Sequence, residues 1–139
     1  MTSVSFSKND DFVLTAGADG TVSLWTFDGD LMRTVSHDSR VLTAAFSPEG
    51  NSILTVGGDG VARLWDLEGN LTFEIRGASA KVTWADFSPS GNQLATSMED
   101  GTVRLWPTDP GDLMQIASTV ATRDFTPEER ARYADLLDD

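Results

Sequence analysis

One spacing recurs along this chain of 139 residues, and it constrains the fold more than any other feature. A Phe-Ser pair begins at Phe6, Phe46 and Phe87, so the intervals are 40 residues (46 − 6) and 41 residues (87 − 46). Asp-Gly and Leu-Trp pairs keep the same intervals; they begin at Asp19, Asp59 and Asp100 and at Leu24, Leu64 and Leu105. Because several residue types share one register, the spacing indicates a repeated structural unit of about 40 residues.

Each unit has the pattern of short β-strands joined by turns. In the middle unit, the apolar segments 53–56 and 61–65 flank Gly57-Gly58-Asp59-Gly60, which is typical of a hairpin turn. The segments 47–51 and 67–70 contain Gly and Asn and predict further turns. Apolar residues at alternate positions after the last turn predict a fourth strand. Four antiparallel strands in about 40 residues are typical of one blade of a β-propeller, so the predicted fold class is all-β.

The middle unit resembles a WD repeat. It contains the family's elements in order: Ser36-His37, Phe46-Ser47-Pro48-Glu49-Gly50, Gly58-Asp59-Gly60 and Trp65-Asp66. The resemblance extends over residues 1 to about 107. It implies three four-stranded antiparallel blades in an incomplete ring, at 1–35 (without a preceding outer strand), 36–77 and 78–111. It also implies a scaffold for protein–protein interaction rather than an enzyme; the alternatives are a non-autonomous fragment of a longer WD-repeat protein and a propeller hydrolase.

The resemblance further implies a hydrogen-bonded tetrad within a blade. At matched positions the middle blade has His37, Thr55, Asp59 and Trp65. In the family pattern the aspartate orients the imidazole, and the threonine hydroxyl meets both the imidazole and the indole N–H. The other tetrads are incomplete, because Ala78 stands at the histidine position of the third blade and the first blade's position precedes the first residue. Their remaining members are Thr15, Asp19 and Trp25, and Thr96, Asp100 and Trp106.

Three blades leave a propeller open, because closed rings typically have about four to eight. Each blade buries its faces against its neighbours, so a stack of three exposes two faces. Three alternatives remain. The chain is the C-terminal part of a longer propeller, two copies associate into six blades, or another chain completes the ring.

The sequence after Trp106 has a different pattern. Apolar residues from Leu113 have helical spacing, and Thr126-Pro127 resembles a helix N-terminus. We therefore expect a short helical tail over 112–139, with a strand over 112–118 as the alternative. The tail is expected either to cover the last blade or to dock a partner. Residues 122–130 resemble the C-terminal tails of bacterial multidomain WD-repeat proteins, which implies a sensor or regulatory role in a signalling assembly.

The composition disfavours several other functions. The chain has no cysteine and one histidine, and no metal-ligand or nucleophile spacing is present in the sequence, so we predict no catalytic residue, cofactor or metal. A net charge of −12 disfavours nucleic acid and anionic membranes as partners. The absence of cysteine and of a signal-peptide pattern favours a cytoplasmic location.

The expected partner is therefore a protein, and the blade turns indicate where it would bind. By position, Arg40 and Lys81 lie at the entries to innermost strands, and Glu99 precedes a turn aspartate. Trp84 lies on an innermost strand where the family commonly has a small residue, so we expect it to project toward the central channel. These four residues form the candidate interaction rim, and Trp and Arg are types that often contribute strongly to binding.

Overall fold

The computed structural model describes residues 1–77 and 79–108, which form three antiparallel sheets. The first sheet contains β1 (Ser3–Phe6), β2 (Phe12–Ala16), β3 (Thr21–Thr26) and β4 (Leu31–Ser36). The second contains β5 (Val41–Phe46), β6 (Ser52–Gly57), β7 (Val61–Asp66) and β8 (Leu71–Arg76). The third contains β9 (Val82–Phe87), β10 (Gln93–Met98) and β11 (Val103–Pro107). Each sheet is a meander in which consecutive strands pair.

The prediction of an all-β repeat protein is confirmed, and the first two sheets are four-stranded. The third sheet has three strands within the described ranges. The predicted helical tail over 112–139, the alternative strand over 112–118 and the end of the third unit lie outside the described residues. The chain units predicted at 1–35, 36–77 and 78–111 remain predictions; β4 extends through Ser36, one residue past the predicted end of the first unit.

Tight hairpins connect the second and third strands of every sheet. In the first sheet, Gly20 has a φ of +87° and its amide donates to the carbonyl of Gly17 at 3.3 Å. A Cβ atom at Gly20 would lie 2.5 Å from the carbonyl oxygen of His37, so both the backbone angle and the available space require glycine. These hairpins and the connections between sheets share one end of the blades, which we call the upper rim (residues 17–20, 37–40, 57–60, 79–81 and 98–101).

Two apolar clusters hold the three sheets together. Both faces of the middle sheet are covered, so its strands carry apolar residues on both sides. We call the face of a sheet that meets the preceding sheet its front face, and the opposite one its back face. The front face of the second sheet packs on the back face of the first through Val41, Ala44, Phe46, Ile53 and Trp65. Its back face packs on the third sheet through Leu54, Val56, Ala62, Leu64 and Ile75.

Candidate functional site

A tryptophan–threonine hydrogen bond is present in each of the three sheets. The indole Nε1 donates to a threonine Oγ1 across neighbouring strands, from Trp25 to Thr15 (2.9 Å), from Trp65 to Thr55 (2.8 Å) and from Trp106 to Thr96 (2.9 Å). Thr55 and Thr96 are fully buried. The sequence-predicted pairs are therefore brought together in all three units, and in the second and third sheets the threonine satisfies an indole N–H that would otherwise be buried without a partner.

In the middle sheet, His37 joins this pair. It lies on the connection between β4 and β5, is buried, and approaches Thr55 with Nε2 to Oγ1 at 2.9 Å. Its ring also meets the edge of the Trp65 indole, with centroids 5.6 Å apart and an interplanar angle of 64°. Three of the four predicted tetrad members thus form one connected group.

The fourth member, Asp59, does not follow the predicted arrangement. The expected hydrogen bond from His37 to the Asp59 carboxylate is absent from this part of the structure, because the Arg63 guanidinium lies between them. Arg63 Nη1 is 3.0 Å from His37 Nδ1, and Nη2 is 2.7 Å from Asp59 Oδ2. Arg63 Nε donates to Glu74 Oε1 at 2.9 Å, and Glu74 in turn pairs with Arg76. The tetrad is therefore extended by an arginine into a chain of alternating charges.

Arg63 also determines the protonation state of His37. A guanidinium can only donate hydrogen bonds, so the Nδ1 atom that faces it must accept, and the imidazole proton resides on Nε2. Thr55 Oγ1 then accepts from both His37 and Trp65, and its own hydroxyl points to the Arg63 carbonyl at 3.4 Å. Burial and the nearby positive charge of Arg63 lower the pKa of His37, which agrees with a neutral ring.

The residue two positions after the turn aspartate also differs between the sheets. In the outer sheets this residue is threonine, and Asp19 and Asp100 accept bonds from the hydroxyl and amide of Thr21 and Thr102. These bonds lower the pKa of both carboxyls. In the middle sheet the residue is Val61, which offers only its amide, at 3.2 Å.

Asp59 accepts from the Val61 amide with Oδ1 and from Arg63 with Oδ2. Burial alone would raise the pKa of Asp59, but the hydrogen bonds from Arg63 and from the Val61 amide outweigh it and hold the pKa below its ordinary value. The carboxylate thus remains ionised beside the guanidinium.

Arg104 occupies the position of Arg63 in the third sheet (63 + 41 = 104) but lacks the same partners. The residue is 8% exposed, and its Nε and Nη1 atoms are buried without a hydrogen-bond acceptor among the described residues. These are the two atoms that in Arg63 meet Glu74 and His37. The histidine position is Ala78, which lies outside the described residues. Among the members that the structure describes, the complete network is present only in the middle sheet.

The repeated sheets and their tryptophan–threonine pairs agree with a sequence comparison. The family model described as WD domain, G-beta repeat matches residues 1–26, 29–66 and 69–107. The chain belongs to this family. A comparison with curated proteins gave no match. WD repeats form β-propeller scaffolds for protein–protein interaction and are typically not enzymes.

Three of the predicted rim residues of this WD-repeat chain lie together at the upper rim. Arg40, Lys81 and Glu99 are exposed, and the structure fixes their backbones. The amide of Gly58 donates to the Arg40 carbonyl, and that of Glu99 to the Lys81 carbonyl, both at 2.8 Å. An open depression of about 450 Å³ lies beside Lys81 and Glu99, and its lining also includes the charged side chains of Asp59 and Arg76.

The fourth rim residue, Trp84, lies elsewhere. It pairs with Ser97 across β9 and β10, which places it on the back face of the third sheet, and 55% of it is exposed. Trp84 stands three residues before Phe87, and the residues three before Phe6 and Phe46 in the other WD repeats are Ser3 and Thr43. Its projection toward a central channel remains a prediction.

Two further kinds of site were sought in the described ranges. Residues 1–77 and 79–108 contain no group of three or more acidic, histidine or cysteine side chains placed to hold a metal ion. The same ranges contain no helix long and apolar enough to cross a membrane.

Proposed function

We propose that this WD-repeat protein binds another protein through the upper rim between its second and third blades. We further propose that it serves as a sensor or regulatory part of a bacterial signalling assembly in the cytoplasm. The signalling role is supported only by the resemblance of residues 122–130 to the tails of such proteins. The binding role is supported by the charged depression at the rim.

The rigidity of the rim supports the binding role. The amide of Val82 donates to the Gly60 carbonyl at 3.0 Å, which ties the start of β9 to the hairpin of the second blade. The bond between Glu99 and Lys81 ties the hairpin of the third blade to the same segment. A surface whose backbone is already fixed loses little conformational entropy on binding, which favours affinity.

The charges of the depression define the chemistry of the partner. Lys81 and Arg76 face it beside Asp59 and Glu99, so both signs are present within one cavity. Arg76 and Asp59 already have ion-pair partners in Glu74 and Arg63. A net charge of −12 makes a cationic group rare on this surface, so Lys81 is the side chain best placed to meet an acidic group of the partner.

Reversal of the charge of Lys81 tests the proposal. The 139-residue chain carrying an affinity tag is expressed in bacteria, cross-linked and captured, and co-captured proteins are quantified by mass spectrometry. We expect Lys81→Glu to lose a specific partner by roughly tenfold or more, as for an interface hot spot. Lys8→Glu is the matched control, because Lys8 is an exposed lysine in the turn at the opposite end of the first blade. Equal recovery with both variants would contradict the proposed rim.

A further inference from the structure

The front face of the first blade is apolar and uncovered by the described residues. Met1, Val4 and Phe6 are 84%, 51% and 58% exposed. The same three positions in the second blade, one repeat later, are Val41, Ala44 and Phe46, which are 0%, 4% and 8% exposed. The difference arises because the second blade has the back face of the first blade to pack against. The first blade thus presents a surface of the type that normally meets another blade.

An exposed tryptophan lies on the complementary face at the other end of the stack. Trp84, on the back face of the third blade, is 55% exposed, whereas its equivalent Thr43 in the second blade is 6% exposed under the third sheet. Large exposed apolar side chains on a β-sheet face commonly mark a contact surface.

The contact between the first two blades shows which residues oppose each other at such a junction. Ser3 Oγ lies 3.3 Å from the carbonyl oxygen and 3.5 Å from the amide nitrogen of Ala44, so these two residues meet on neighbouring innermost strands. In repeat numbering, Trp84 is the equivalent of Ser3, and Val4 is the equivalent of Ala44. A further junction of the same kind would therefore place Trp84 directly against a Val4.

We propose that a second copy of this chain packs on these faces, with Trp84 of each copy on Val4 of the other, and that the two copies close a six-bladed ring. The junction between the first two blades pairs a small polar residue with alanine, Ser3 with Ala44. At the proposed junction both members are large and apolar, and both are exposed, so a second copy supplies the matching side chain. Repetition of one blade-to-blade rotation relates the copies by a two-fold axis, and six blades lie within the usual range.

The solution mass tests this proposal, and light scattering after size exclusion measures it directly. The chain has a mass of 15.0 kDa, so the ring is expected at 2 × 15.0 = 30.0 kDa. We expect Val4→Asp and Trp84→Ser each to weaken the dimer by on the order of tenfold or more, because each removes a central apolar contact. Phe27→Ser is the control, because Phe27 is 69% exposed in a turn outside both faces.

Cross-linking tests the residue pair itself, since the chain has no cysteine of its own. A mixture of Val4→Cys and Trp84→Cys chains is expected to form a disulfide-linked dimer under mild oxidation. Either variant alone is not, because like residues lie on opposite junctions of the ring. Phe27→Cys mixed with Trp84→Cys is the negative control. Circular dichroism of each variant verifies that the fold is retained.

The remaining outcomes overturn the proposal. A wild-type chain that stays at 15.0 kDa at every concentration would exclude the two-copy ring. Oligomers larger than the dimer would indicate an open stack, and a dimer insensitive to both face variants would use a different surface. Val4 and Trp84 lie on the outer sheet faces and Lys81 lies at the upper rim, so the ring and the proposed rim can fail independently.

Discussion

The two equivalent arginines provide a matched test of the network, because one has three polar partners and the other has two buried nitrogens without acceptors. Replacement of Arg63 by methionine keeps much of the side-chain volume but removes the donors that meet Asp59, His37 and Glu74. Loss of one member of a buried ion pair costs about 3–5 kcal/mol. The side chains of Asp59 and Glu74 are 28% and 30% exposed and can regain water. We therefore expect Arg63→Met to lower the free energy of unfolding by about 2–3 kcal/mol.

Arg104→Met should behave in the opposite way. It removes two buried donors that have no acceptor among the described residues. A protein with a well-packed apolar side chain at such a position is often as stable as the original or more stable. We expect no loss, or a gain of up to about 1 kcal/mol. Urea unfolding followed by tryptophan fluorescence, at one protein concentration, measures both variants. Arg33→Met at an exposed arginine is the control. If Arg104→Met destabilised the chain as much as Arg63→Met, the assignment of Arg104 as unpartnered would be wrong.

Three further predictions concern single residues. Folding lowers the pKa of His37, so the unfolded state takes up a proton at a higher pH than the folded state. The free energy of unfolding should therefore decrease as the pH falls below 6.5 and stay level above it. His37→Gln should flatten this dependence in urea titrations at a series of pH values. Thr55→Val should lower the free energy of unfolding by about 2–4 kcal/mol and Thr96→Val by about half as much, because Thr55 satisfies two buried donors and Thr96 one. Equal decreases in melting temperature would contradict this. Gly20→Ala should destabilise by at least about 2 kcal/mol more than Gly29→Ala, because both have positive φ but only Gly20 has a carbonyl oxygen within 4 Å; equal melting temperatures would refute the steric argument.

Much of this fold follows from local features of the sequence. The period of 40 and 41 residues places Thr15, Thr55 and Thr96 diagonally across the strand pair from Trp25, Trp65 and Trp106, because strand pairing keeps a constant register between equivalent turns. Asp-Gly turns fix that register within each hairpin. These are short-range determinants, and residue identity and spacing alone identify them.

The partner of His37 depended on the tertiary structure. Alternation along β7 places Arg63 on the same face as Trp65, so this signal was present in the sequence. The family pattern nevertheless favoured a direct bond from Asp59 to His37. The long arginine side chain can reach several acceptors. Which of them it meets depends on the distances between three strands and the segment that carries His37, and only the folded structure fixes these distances.

The matching of the two exposed faces could likewise be found only from the tertiary structure. The sequence alone predicted two open faces for a three-blade stack, and it identified Trp84 as unusual for its position. It did not pair Trp84 with Val4, because that pairing depends on which side of each sheet a residue occupies and on the contact between Ser3 and Ala44. The sequence by itself determined the strands, turns and blade-internal pairs, since these depend on local periodicity. The charge network and the matching of the two outer faces were decided by packing between blades, which brings together residues far apart in the chain.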